Sequence, residues 1–284
     1  MKRRQVVRIQ GSTVVGESPS IAEMSWSFLA GYSLNENLGI DFVQEPVRDF
    51  QRVKASLEIL AVRIPLEDSP QLLANIPSRP SDVNQIKAFD HWIYEGTQFW
   101  PRLLWAKAIR SLIVSKVNSL DIRQACIIVG EGAWVTLSAW VAADLGYSRI
   151  FVVNENPLGL DKQVGLLKSV LVGIEIQGIL ADQLTLQIIK CSLLLNSLDL
   201  SNKPELLGDI GYFNFMSALG LVVDLPSFIC NHDLLSEADS AGLLILDSLD
   251  LQAHLDFDFL RMIKAPGVTE PQRSQFVDEW RSKN

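Results

Sequence analysis

Ile127-Ile128-Val129-Gly130-Glu131-Gly132-Ala133 is the stretch on which the fold turns. An apolar run of strand length ends in glycines and passes into a helix-length segment, Trp134 to Leu145, after which Arg149 to Asn154 is apolar again. Strand, glycine turn, helix and second strand make a βαβ opening, and the missing side chains at such a turn let a pyrophosphate approach the helix N-terminus. Apolar runs at Cys191 to Asn196, Gly220 to Asp224 and Gly242 to Asp247 continue the alternation. This half therefore predicts a Rossmann-like, doubly wound parallel sheet with helices on both faces, in an α/β protein.

The N-terminal half mixes strands, Val6 to Gln10, Asp41 to Pro46 and Ala61 to Pro65, with helical stretches, and Pro/Ser-rich Ile76 to Ser81 interrupts it. It reads as a smaller, separate α/β domain. A helix from Arg102 to Val117, with Pro101 suited to its first turn, leads out of it. The expected division is 1–100, 101–250, and a C-terminal helical segment, 251–284, that returns toward the first domain.

The chain has 284 residues, enough for two cores of ordinary size, and its 20% charged and 48% hydrophobic residues fit a globular protein. A net charge of -8 argues against a surface that tracks nucleic-acid phosphates. The basic start, Met1 to Arg4, is followed by alternation broken by charge, which is neither a signal peptide nor a membrane anchor, and runs such as Leu243 to Leu246 are too short to cross a bilayer. A cytoplasmic protein without membrane or nucleic-acid partners is the expectation. Cys126, Cys191 and Cys230 lack CxxC spacing and read as buried reduced thiols, while His91, His232 and His254 are too scattered for a metal site. The aromatics Trp92, Tyr94, Phe99, Trp100 and Trp105 read as domain core or as a patch for a protein partner.

Beyond the glycine turn, Leu145-Gly146-Tyr147-Ser148-Arg149-Ile150-Phe151-Val152-Val153-Asn154 resembles the second strand of shikimate dehydrogenases. Val222-Val223-Asp224, then Leu234-Leu235, Ala238 and Gly242, resemble that family's late strand and the helix after it. Gln252-Ala253-His254 resembles its C-terminal stretch, and Ser18-Pro19-Ser20-Ile21 with Ile40 to Val47 its first loop and following strand. The ordered set spans most of the chain. The resemblance implies an N-terminal substrate-binding domain and a C-terminal nucleotide-binding domain. It also implies an NADP-dependent oxidation of a ring hydroxyl, with a Lys and an Asp moving the proton.

The same resemblance places the family's Lys on Glu67, through Ala61 to Glu67 anchored by Ile64-Pro65, and its Asp on Gln98, through Gly96-Thr97-Gln98. A carboxylate and a neutral amide thus stand where an ammonium and a titratable carboxylate are expected. Ser18, Asn84, Thr97 and Gln252 are the implied substrate contacts; Gly16, Val15 and Ser227 replace others. Gly130, Gly132, Ala133, Asn154 and Glu155 are the implied cofactor positions. Val135 occupies the third small position of the turn, and Glu155 stands where an Arg would hold the 2′-phosphate of NADP, so NAD is favoured over NADP if a dinucleotide binds. The glycines equally suit a bare strand-to-helix turn in a retained fold. Three readings follow: a pseudoenzyme that binds a small-molecule ligand or a protein partner, a diverged NAD-dependent oxidoreductase with another small hydroxy or keto substrate and Glu67 as general base, or a purely structural interaction module with a collapsed cleft.

Overall fold

A computed structural model describes residues 4–10, 20–46, 59–74, 76–117, 120–225 and 230–283. The chain divides into two compact units, one of residues 1–108 with 252–284 and one of residues 109–251.

In the first unit the strands β1 (Arg4–Gln10), β2 (Ile40–Pro46), β3 (Ile59–Arg63), β4 (His91–Glu95) and β5 (Gln98–Arg102) form a sheet in the order β2-β1-β3-β4-β5. β1 runs parallel to β2 and β3, and β4 is antiparallel to both β3 and β5. The helix α1 (Ile21–Asn35) opens with a capping box, in which Glu23 N donates to Ser20 Oγ and Ser20 N donates to the Glu23 carboxylate. Two short helices, α2 (Ser69–Leu73) and α3 (Ser81–Ile86), lie between β3 and β4. Phe28 and Tyr32 of α1 pack on Phe276 of a C-terminal helix, with ring centroids 5.3 and 5.0 Å apart. That helix, α10 (Arg273–Lys283), also buries Val277 and Trp280.

Two features of this unit differ from the sequence reading. The aromatic run forms a tight hairpin in which Tyr94 pairs with Phe99 and Ile93 with Trp100 across the turn Gly96-Thr97. Gly96 has φ +69°, the positive φ that two-residue hairpin turns require. Pro101 belongs to β5, paired with Trp92, and not to a helix: β5 is an edge strand, where a residue without an N–H breaks no ladder. The helix α4 (Leu104–Lys116) starts later, and its first N–H groups are capped from a distance. Asp90 accepts from Leu104 N at 2.8 Å and from Trp105 N at 2.7 Å.

The second unit is a parallel sheet of β6 (Ala125–Val129), β7 (Arg149–Asn154), β8 (Glu175–Leu180), β9 (Cys191–Asn196), β10 (Met216–Asp224) and β11 (Leu244–Leu246), in the order β11-β10-β9-β6-β7-β8. The helices α5 (Gly132–Asp144), α6 (Pro157–Val170), α7 (Pro204–Gly211) and α8 (His232–Ser240) alternate with the strands. Every residue of β6 is fully buried, as a central parallel strand requires. The chain builds outward from β6 through β7 to β8 and then crosses to β9 on the other side, so the topological switch point lies between β6 and β9, where open sheets take their ligands. Cys126 and Cys191 are buried free thiols and Cys230 is half-buried. The helix α9 (Ser248–Met262) leads from this unit back to the first. No helix among the described residues is long and apolar enough to cross a membrane, and none of these residues cluster as metal ligands.

Candidate functional site

At the C-terminal end of β3 in the first unit, Arg63 turns into the face covered by α1, α9 and α10. Its Nη1 donates to Asp256 Oδ1 at 3.0 Å and to Ser25 Oγ at 2.9 Å. Asp256 is fully buried and accepts three further bonds, from Ser25 Oγ at 2.7 Å, Gln252 Nε2 at 2.8 Å and Trp280 Nε1 at 2.9 Å. Arg8, opposite Arg63 in β1, has its pKa pushed down to about 10 by burial and by the neighbouring Arg63 charge, partly offset by Glu23. Beside Arg63 in the β3–β4 ladder stands His91, whose Nδ1 lies 2.6 Å from Asp90 Oδ1. Burial holds the imidazole below its ordinary pKa against the opposing pull of Asp90. The neutral ring therefore donates through Nδ1–H, and Nε2 has no hydrogen-bond partner among the described residues.

The expected substrate contacts scatter around this network. Gln252 is 1% exposed, and its amide donates to Asp256 and, at 3.2 Å, to Ser25, so its polar end is consumed inside the unit. Glu67 is exposed in the turn that follows β3, at the same end of the sheet. Thr97 and Gln98 are exposed at the hairpin turn. Because β4 is antiparallel to β3, with Arg63 opposite His91 and Glu95 opposite Gln98, the turn sits four residues along β4, about 13 Å from the end that carries Glu67. Glu67 and Gln98 are therefore not brought together, which corrects the expectation that they stand in one site as a Lys and Asp pair would. Asn84 is exposed on α3 and donates to Arg79 O at 3.3 Å. Ser18, with Val15, Gly16 and Ser227, lies outside the described residues.

In the second unit the expected cofactor positions do converge on one turn, at the switch point. Gly130 has φ +149°, and a Cβ there would lie 1.9 Å from Ser197 Oγ. Ser197 follows β9, and both its N–H and its hydroxyl donate to Val129 O, at 2.9 and 3.0 Å. An internal contact, in the crevice between β6 and β9, therefore explains this glycine. Asn154 is buried and ties the adjacent turns together, donating to Gly130 O at 2.8 Å and accepting from Asn156 N at 2.9 Å. Gly132, at φ +68°, opens α5, and Ala133 follows half-buried. Gln163 of α6 clamps Gly132 from the side, its Oε1 accepting from Gly132 N at 3.2 Å and its Nε2 donating to Gly132 O at 3.3 Å. Glu155 is exposed and paired with Lys203 at 2.5 Å.

These residues do not fit the dinucleotide that such a turn implies. The Gly132 N–H that would meet a pyrophosphate is taken by Gln163, Val135 is fully buried where a small residue is expected, and Glu155 would repel a 2′-phosphate. A surface groove of about 470 Å³, lined by Asp121, Arg123, Gln124 and Ser192 among others, lies at the opposite, N-terminal end of the strands and includes none of the expected positions.

Next to the turn, Asp224 at the end of β10 is fully buried and accepts from Asn196 Nδ2 at 2.9 Å, Asn231 N at 2.9 Å and Asn231 Nδ2 at 2.7 Å. Burial pushes its pKa up to about 6 despite those bonds. The Asn side chains continue to Leu198 O and Leu200 N and so hold the loop after β9.

A mixed sheet in one unit and a parallel sheet with a glycine turn at its switch point in the other form the two-unit α/β plan of a dehydrogenase fold. Among such folds it is that of the shikimate dehydrogenases. The structure is similar to quinate dehydrogenase from Corynebacterium glutamicum in complex with NAD, with a TM-score of 0.74, 12% identity and 99% of each chain covered. It is also similar to shikimate 5-dehydrogenase from Thermus thermophilus in complex with NADP(H) and shikimate, with a TM-score of 0.71, 15% identity, and 99% of this chain and 100% of that one covered. The ligand-free 5-ketofructose reductase of a Gluconobacter species gives a TM-score of 0.71 at 12% identity, with 98% of each chain covered. No protein-family profile matches the sequence, and no curated protein matches it.

Proposed function

We propose that this protein keeps the shikimate dehydrogenase fold as a binding scaffold, taking a small hydroxylated or keto compound or a protein partner, and that it does not oxidise shikimate. What carries this reading is Glu67, a carboxylate at the position assigned to the Lys; Gln98 lies at the other end of the strands, so it is not placed to share a proton there and lends the reading no support. A carboxylate cannot stabilise a forming alkoxide, and a primary amide does not titrate in the pH range where enzymes work. The consumed amide of Gln252 supports the same reading. A second reading, a diverged NAD-dependent oxidoreductase, draws support from Glu155, which suits ribose hydroxyls better than a phosphate, and from the reductase among the structural neighbours.

The test is an absorbance assay for reduced nicotinamide, with shikimate and quinate as substrates and NAD and NADP as oxidants. We expect no turnover by the wild type. Glu67→Lys alone should stay inactive too, because it restores the ammonium without the titratable carboxylate that has to share the proton. Turnover that falls roughly 10²- to 10⁴-fold in Glu67→Gln would instead establish Glu67 as a general base and overturn the scaffold reading.

A further inference from the structure

The glycine turn of the second unit is occupied from within. Gln163 reaches it from the middle of α6 and makes three bonds: Oε1 accepts from Gly132 N at 3.2 Å, and Nε2 donates to Gly132 O at 3.3 Å and to Thr136 Oγ1 at 3.1 Å. Oxygen on the N–H and nitrogen on the two acceptors is the amide orientation in which all three bonds are satisfied. Glu131, the N-cap of α5, makes no side-chain capping bond, so the first turn of that helix takes its partner from Gln163. The carbonyl end of the amide dipole faces the positive end of the helix, where a phosphate oxygen would otherwise sit. At Gly132 itself the position is open, since nothing lies within 4 Å of where a Cβ would stand.

We propose that Gln163 is a built-in occupant of the pyrophosphate position, and that this side chain, rather than the glycine pattern, sets the second unit's affinity for dinucleotides. The inference rests on the scaffold reading, in which the turn is kept without its cofactor. The two fail separately, because one is read as turnover and the other as binding.

Calorimetric titration of the full-length protein with NAD is the test. Wild type should give no saturable heat up to about 1 mM, whereas Gln163→Ala, which also favours the helix, should bind at least about tenfold tighter. Gln163→Glu should stay silent like the wild type, since a carboxylate keeps the acceptor and adds a charge that repels phosphate. Amide exchange at Gly132 should quicken in Gln163→Ala. Wild type and Gln163→Ala binding NAD equally well would overturn the proposal, and so would a folded Gln163→Ala that binds nothing or whose Gly132 amide exchanges no faster.

Discussion

Asp256→Ala should destabilise the protein by about 3–5 kcal/mol, read as a lowered urea midpoint. The Asp256 carboxylate is fully buried and accepts from Arg63, Ser25, Gln252 and Trp280. Truncating it strands a guanidinium in the interior and leaves it Ser25 Oγ, a neutral acceptor, in place of its counterion, and a buried charge in that state is the costly outcome. Asp258 supplies the control. It also pairs with an arginine, Arg273 at 2.6 Å, but that guanidinium keeps a second pairing with Glu270 and access to solvent, so Asp258→Ala should cost about 1 kcal/mol or less. A double substitution, Arg63→Met with Asp256→Leu, should recover much of the loss by removing both charges together. Equal costs for Asp256→Ala and Asp258→Ala would mean that the buried network contributes nothing special.

The second large effect is a pH dependence located at Asp224. Its pKa rises from 3.8 to about 6 on folding, with burial as the leading cause. A carboxyl whose native pKa lies above its unfolded value holds its proton more tightly in the native state. Its stabilising contribution is therefore complete below about pH 4 and is lost as pH rises through about 6. At about 1.4 kcal/mol per pH unit, the loss is about 3 kcal/mol. Asp224→Asn keeps the shape and one acceptor while removing the titration. Between pH 4 and pH 7 the stability of Asp224→Asn, compared with wild type, should thus move by about 2 kcal/mol in favour of the variant. Parallel stability curves over that range would rule out a raised native pKa.

The βαβ opening, from Ile127 through Asn154, was legible because each signal is local: a strand-length apolar run, glycines, a helix-length segment and another run follow one another without interruption. The hairpin was harder to see. Trp92, Tyr94, Phe99 and Trp100 lack a clean alternation, and Pro101 in front of a helical pattern suggests a helix start as readily as an edge strand. The buried network was not legible at all. Ser25 and Asp256 are 231 residues apart, Arg63 and Asp256 are 193 apart, and no spacing rule links them. Arg63 lies inside the stretch that places Glu67, yet a single arginine near the end of a strand gives no sign that it will be buried. Gln163 escapes notice for a related reason: a glutamine on a helix is an ordinary solvent-facing residue until the neighbouring turn is known. Its spacing of 31 residues from Gly132 carries no motif.

The division of the chain into a continuous unit and one assembled from both ends has a consequence for synthesis. Residues 109–251 leave the ribosome as an uninterrupted stretch, with every strand of their sheet already made. The first unit starts to emerge earlier but has to wait, because Asp256 and Trp280, which complete the network around Arg63 and Ser25, are translated after residues 109–251. Until then its first hundred residues hold an arginine without the carboxylate it meets in the folded chain, and an aromatic face, Phe28 and Tyr32, without Phe276. Of the two units, the one begun earlier is thereby completed later, and a chain stopped short of α10 leaves the apolar face of α1 uncovered.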